Sequence, residues 1–180
     1  VTADITALTG DGRRILLRAS DVEDFRAGLR GPLLMPGTTG YDDARKIFNG
    51  MFDRRPAMIA RCLGAADVVR AVRFAGANEL LVAVRGGGHS LSGQSVCDDG
   101  LMIDLSLMRG VRVDPNDRLA RAGGGALLGD LDRETLPFGL ATTTGTVSHT
   151  GAGGLTLGGG FGRLARRYGL TCDQLISIDV

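Results

Sequence analysis

Short apolar runs alternate with amphipathic stretches along the chain. Leu80-Leu81-Val82-Ala83-Val84, Leu101-Met102-Ile103-Asp104-Leu105 and Leu175-Ile176-Ser177-Ile178 are dense enough in branched residues to predict buried strands. Ala57-Met58-Ile59-Ala60-Arg61-Cys62-Leu63 predicts one more, shorter strand. Val68, Val69, Val72 and Phe74 predict a helix from about Ala66 to Ala77 with mostly core-facing bulk, and Asp67 falls in its first turn, where the helix dipole favours an acid. Residues 1 to about 55 predict two helices. One starts near Asp21, with Val22, Phe25 and Leu29 on one face; the other runs from Tyr41 to about Met51, and Gly31-Pro32 and Pro36-Gly37 punctuate the join. Val111 to Val113 and Arg118 to Ala122 read as a hairpin turning at Asp114-Pro115-Asn116-Asp117. A helix is predicted over 126–135, and Thr142 to Gly162 reads as loop. Strand, helix and strand in succession predict α/β or α+β layering.

Composition adds one outlier to an otherwise ordinary globular chain of 180 residues: 29 glycines. They cluster as Gly86-Gly87-Gly88, Gly123-Gly124-Gly125, Gly153-Gly154 and Gly158-Gly159-Gly160, between the predicted strands rather than in a linker. Glycine at the end of a buried strand permits a tight turn or a close backbone approach to a ligand. The formal net charge of +1 argues against a dedicated nucleic-acid or membrane-surface binder. Three cysteines, Cys62, Cys97 and Cys172, rule against a disulfide framework and point to a reducing, cytoplasmic setting. No metal site is expected.

The glycine motifs separate by their neighbours. A phosphate-binding P-loop needs Lys followed by Ser or Thr after its second glycine, and neither Gly86 to Ser90 nor Gly158 to Gly162 supplies it. Gly160-Phe161-Gly162-Arg163-Leu164-Ala165 matches G-x-G-x-x-A with Asp179 further on, which keeps a nicotinamide-binding Rossmann site as a minor alternative. Arg85-Gly86-Gly87-Gly88-His89-Ser90 is more informative. It follows a predicted strand directly, and its consecutive backbone N–H groups suit an anionic pyrophosphate. Arg85 either adds positive charge there or lies at the surface. His89 reads from the residues alone as either a structural histidine or a functional one.

Taken together, these motifs resemble the FAD-linked oxidases of the vanillyl-alcohol oxidase and berberine-bridge-enzyme type. Val84 to Ser90, Gly93 and Ile103-Asp104-Leu105-Ser106 resemble the family's pyrophosphate loop and following strand. Thr144-Gly145-Thr146-Val147-Ser148-His149-Thr150-Gly151-Ala152-Gly153-Gly154 resembles its isoalloxazine-side loop, and Leu157 to Gly162 and Arg167 to Asp173 extend the match. The likeness is close over 55–180. It is looser over Tyr41 to Pro56, which is similar to the lead-in of bacterial members, and it absorbs the Rossmann-like motif.

The resemblance implies an α+β, PCMH-type FAD-binding fold of two subdomains, the second incomplete. Its implied divisions are a helical lead-in over 1–55, a first FAD-binding subdomain over 56–125 and the start of a second over 126–180, with the substrate domain absent. The implied cofactor-binding residues are Arg85, Gly86, Gly87, Gly88, His89, Ser90, Gly93, Gln94, Thr144, Gly145, Val147, Gly151, Gly153, Gly154, Gly158 and Val180. In this family the histidine matching His89 is bonded to the flavin's 8α carbon. A second linkage in some members uses a cysteine where this chain has Val147, so a single linkage is implied. Leu155 stands where plant-type members often carry a histidine, and His149 is an addition. The implied function is the FAD-binding portion of a covalent flavoprotein oxidoreductase moving hydride from a substrate C–H to flavin N5. A non-catalytic flavin-binding module, or a half-protein needing a second chain, is the alternative. Expected partners are a small-molecule substrate and the remainder of the polypeptide or a second chain, not nucleic acid or membrane. The catalytic base is not assigned.

Overall fold

A computed structural model describes residues 3–179. The chain divides into two compact units, one up to Leu107 and one from Met108.

In the first unit, β1 (Ile5–Leu8) and β2 (Arg14–Leu17) form an antiparallel hairpin ahead of α1 (Ala19–Ala27). A four-stranded sheet follows in the order β3 (Leu33–Leu34), β4 (Met58–Arg61), β6 (Leu101–Asp104), β5 (Val82–Arg85). β4, β6 and β5 run parallel; β3 is antiparallel at one side. The one-turn helix α2 (Tyr41–Ala44) precedes β4, and α3 (Ala65–Ala77) connects β4 to β5. β6 is buried at all four positions, as expected for a strand between two parallel neighbours: Leu101, Met102 and Ile103 are apolar, and the fourth is Asp104. Tyr41, Ile59, Val96 and Met102 share a core cluster, and the Tyr41 hydroxyl donates to the Pro56 carbonyl at 2.6 Å.

The second unit holds the hairpin β7 (Val111–Asp114) and β8 (Leu119–Ala122), then α4 (Leu128–Thr135), α5 (Ala152–Leu157) and α6 (Ala165–Tyr168). The hairpin turns where the sequence predicts, with Asp114 Oδ1 accepting from the N–H groups of Asn116 and Asp117. Asp130, in the first turn of α4, accepts from the Leu127 N–H at 2.9 Å and from both Arg109 Nε and Nη2.

Several expectations need correction. The helix predicted from Tyr41 to Met51 ends at Ala44. In a continuing helix the Phe48 N–H would bond to the Ala44 carbonyl. Instead Arg85 Nη1 takes the Ala44 carbonyl, and the Phe48 N–H goes to the Gly88 carbonyl at 2.9 Å. In α3 the buried positions are Asp67, Ala71 and Ala75, spaced i, i+4, i+8, whereas Val69 and Val72 are exposed. Small residues let α3 approach its neighbours closely, and Phe74 stacks on Phe25 of α1 at 4.1 Å. Asp67 does more than complement a dipole: its carboxylate accepts from the N–H groups of Arg30, Gly31 and Leu63. β5 is last in the sheet order and only half as buried as predicted, with Val82 and Val84 exposed and Ala83 buried. Leu175 to Ile178 forms no strand; its apolar side chains are exposed, and no described strand pairs with it. Among the described residues no helix is long and apolar enough to cross a membrane.

Candidate functional site

Parallel β4, β6 and β5 are in register, so Arg61, Asp104 and Arg85 lie side by side at the carboxyl end of the sheet. Ligands of parallel α/β sheets bind at this end, where connecting loops gather. Asp104 is wholly buried and accepts from Arg61 Nε at 3.0 Å and from the Ser106 N–H and hydroxyl at 2.9 Å each. This pairing fixes the strand ends from which the glycine loop leaves.

The loop begins at Arg85 and passes through half-buried Gly86 and Gly87 to buried Gly88. Gly88 has φ +71°, and a Cβ there would lie 3.0 Å from Arg85 Nε. His89 is half-buried, and its ring stacks on Phe48 with centroids 4.4 Å apart and planes 11° from parallel. The Ser90 hydroxyl accepts from the Gln94 N–H at 3.0 Å, closing the next turn, while the Gln94 side chain is exposed. Gly93 has φ +72°, and a Cβ there would lie 2.4 Å from the Phe52 ring. Arg85 to Gln94 are thus brought together in one loop. The Arg85 guanidinium also ties the loop to the end of α2 through the Ala44 carbonyl.

The second candidate set lies in the other unit and is also internally consistent. The Leu128 N–H donates to the Thr150 carbonyl, Gly129 N–H to Ser148, and Ala152 N–H to Ala126, which lay 148–152 along the start of α4. Gly151 is buried at the N-terminus of α5, Gly153 and Gly154 lie within that helix, and Gly158 closes it by donating to the Gly154 and Leu155 carbonyls. Gly145 is closely packed: a Cβ would lie 3.0 Å from Leu128 Cδ1, close enough that the leucine would have to shift. Gly154 faces open space instead. Thr144 is half-buried, Val147 and His149 are exposed, and Val180 lies outside the described residues.

The Rossmann alternative does not survive. A Cβ on Gly162 would lie 1.6 Å from the Thr144 carbonyl oxygen, and one on Gly160 would lie 2.2 Å from Thr171 Oγ1. These glycines serve a crossing of the chain over itself. The element directly before them is the helix α5 and not a strand, and the helix that follows, α6, has four residues.

Three buried polar atoms near the two loops have no hydrogen-bond partner among the described residues: Arg85 Nε, Ser95 Oγ and Thr143 Oγ1. A buried polar atom without a partner is costly, and in each loop taken by itself a polar ligand group is a partner that would relieve that cost. Sequence reasoning missed Ser95 and Thr143, since a hydroxyl residue beside a glycine loop carries no signal of its own. It also missed Phe48, Asn49, Phe52 and Arg54, which lie in the segment predicted as helix or its approach. Both buried thiols are held protonated at neutral pH: burial pushes the Cys97 thiol up to about 11, and burial with the Asp67 and Asp104 carboxylates pushes Cys62 up to about 12.

A glycine loop at the carboxyl end of a parallel sheet, with unpartnered polar atoms beside it, defines a nucleotide-cofactor-binding protein. The sequence profile described as FAD binding domain matches residues 56–180, and the chain belongs to that family, in its vanillyl-alcohol oxidase and berberine-bridge-enzyme-like branch. It is 41% identical over 148 residues to (R)-6-hydroxynicotine oxidase of Paenarthrobacter nicotinovorans, covering 82% of this chain and 32% of that relative. The crystal structure of 6-hydroxy-D-nicotine oxidase from Arthrobacter nicotinovorans superposes with a TM-score of 0.79 at 42% identity, over 81% of this chain and 32% of that one. A berberine-bridge-enzyme-like protein of Physcomitrella patens also gives a TM-score of 0.79, at 28% identity over 84% of this chain and 34% of its own. The chain spans about a third of the length of these relatives.

Proposed function

We propose that these residues are the FAD-binding portion of a covalent flavoprotein oxidoreductase. The observation that carries the reading is the Arg85–Ser90 loop, which leaves the carboxyl end of the parallel strands and ends on a half-buried, oriented histidine. FAD supplies the chemistry, accepting hydride at N5 from a substrate C–H. Gly86 to Ser90 hold the pyrophosphate with backbone N–H groups, supported by the Arg85 charge, and Gly93 and Gln94 shape the turn behind them, donating their own N–H groups to the Ser90 carbonyl and hydroxyl. Thr144, Gly145, Val147, Gly151, Gly153, Gly154 and Gly158 border the ring system, and Val180 extends that set. Residues 56–125 then form the first FAD-binding subdomain and 126–180 begin the second, behind the lead-in over 1–55.

His89 tethers the flavin through the 8α carbon, as the only attachment point. Attachment replaces the imidazole N–H and one C–H by an N–C bond; dioxygen takes the two protons and two electrons released, as hydrogen peroxide. The tether withdraws electrons from the ring and strengthens it as a hydride acceptor. The substrate is a small molecule, met by the remainder of the polypeptide or a second chain. The free thiols of Cys62, Cys97 and Cys172 support a cytoplasmic setting. The test is to assay the full-length flavin-loaded protein against alcohols and sugars. Substrate-dependent bleaching of the flavin absorbance supports an oxidoreductase, and flavin that no C–H donor reduces supports a binding module.

A further inference from the structure

The glycine loop is held by a segment that precedes the matched FAD-binding profile, which starts at residue 56. The Phe48 N–H donates to the Gly88 carbonyl at 2.9 Å, immediately before His89. Asn49 Nδ2 donates to the Leu91 carbonyl at 2.8 Å, immediately after Ser90. Arg54 Nη1 donates to the carbonyls of Gly93 and Val96 at 3.1 Å each, and the Phe52 ring fills the space beside Gly93. The loop backbone is therefore gripped on both sides of His89 by residues 48–54.

Within this grip one contact falls on the histidine side chain itself. The Phe48 ring is 61% exposed, so it contributes little to the core, yet it lies flat against the imidazole at 4.4 Å and 11°. Offset stacking of two flat rings favours one relative plane. The nitrogen lone pair of an imidazole lies in the ring plane, so contact on the face fixes that plane without covering the nitrogen's own bonding direction. Forming a bond to a ligand carbon needs that direction held, and small misplacements cost large factors in rate.

We propose that Phe48 is a positioning residue for His89: its ring sets the imidazole plane in which the attaching nitrogen meets the flavin. The proposal rests on the reading of His89 as the attachment point, and its test separates the two. The full-length protein is prepared flavin-poor, given FAD, and sampled over time for total bound flavin and for flavin that survives acid precipitation. Phe48→Leu and Phe48→Met keep apolar bulk but lose the flat ring; Phe48→Tyr keeps it. The expected result is normal total flavin in all three, attachment slowed about tenfold or more in the Leu and Met variants, and near-normal attachment in the Tyr variant. Attachment at the wild-type rate in whichever of the Leu and Met variants folds overturns the proposal. In parallel, the His89 imidazole proton resonances, identified by their absence in His89→Ala, report the stack without reference to attachment. They are expected to lie upfield in the wild type and Phe48→Tyr and to move downfield in Phe48→Leu. If the wild type itself holds no acid-stable flavin, the attachment reading falls. The positioning role in attachment then falls with it, and the resonances show only whether the stack exists in solution; with acid-stable flavin present, unmoved signals in Phe48→Leu overturn the positioning role.

Discussion

Gly88 shows how tightly single residues constrain the candidate site. Its φ of +71° and the 3.0 Å approach of Arg85 Nε to a Cβ leave little room for any side chain. Replacing it by alanine is expected to cost about 1–2 kcal/mol from the left-handed backbone alone and to lower flavin content, as measured by thermal unfolding and by absorbance of the purified protein. Gly10 is the matched control, since a Cβ there meets nothing and its φ lies outside the left-handed region, so Gly10→Ala should leave both readouts unchanged. Equal flavin in the two variants would remove Gly88 from the site. At this scale the sequence was informative where chemistry is written in the residue type: Arg85 to Ser90 stands out as a run. It was silent on Phe48, because that residue falls inside the stretch from Tyr41 to Met51 that reads as helix, and only the three-dimensional path brings it onto His89.

Elements were legible where one local pattern sufficed. The Asp114 turn, the hairpin around it and the span of α3 follow from side-chain chemistry and spacing alone. What failed depended on partners far away in the chain. α2 stops early because Arg85 and Gly88 take the hydrogen-bonding groups that a longer helix would use. The short strands β1, β2 and β3 carry four, four and two residues, too few for a periodicity to show. A second element is tied by charge: Asp130 anchors the start of α4 to Arg109 just ahead of β7. The Arg109 hydrogen bond, opposed by burial and aided by the Leu127 N–H and the Arg109 and Arg133 charges, holds the Asp130 carboxyl below its ordinary range. A carboxylate whose folded pKa is depressed stabilises the fold fully above its unfolded pKa, and this contribution is lost as pH falls through the folded value. Asp130→Asn is therefore expected to destabilise the protein by about 1–2 kcal/mol near neutral pH and to flatten its loss of stability on acidification. Denaturant titrations from pH 7 down to the folded pKa check this; parallel pH profiles for variant and wild type would contradict it.

At the scale of the molecule, the unit from Met108 carries many exposed apolar side chains, including Leu157, Phe161, Ile176 and Ile178 at 78%, 76%, 77% and 56% exposure. Extensive apolar exposure promotes self-association. Expressed as these 180 residues alone, the chain is expected to self-associate in light scattering, and a monodisperse monomer that unfolds cooperatively without flavin would contradict that. The family assignment rests on the match over 56–180, while residues 48–54, which hold the glycine loop by hydrogen bonds, lie outside that match. The central claim is that one FAD is bonded to this chain through His89. Intact mass of the acid-denatured full-length protein tests it most directly. The account predicts a gain of one FAD in the wild type and none in His89→Ala, which still binds FAD before denaturation at a lowered redox potential. Flavin bonded to His89→Ala, or a wild type with no added mass, would contradict it.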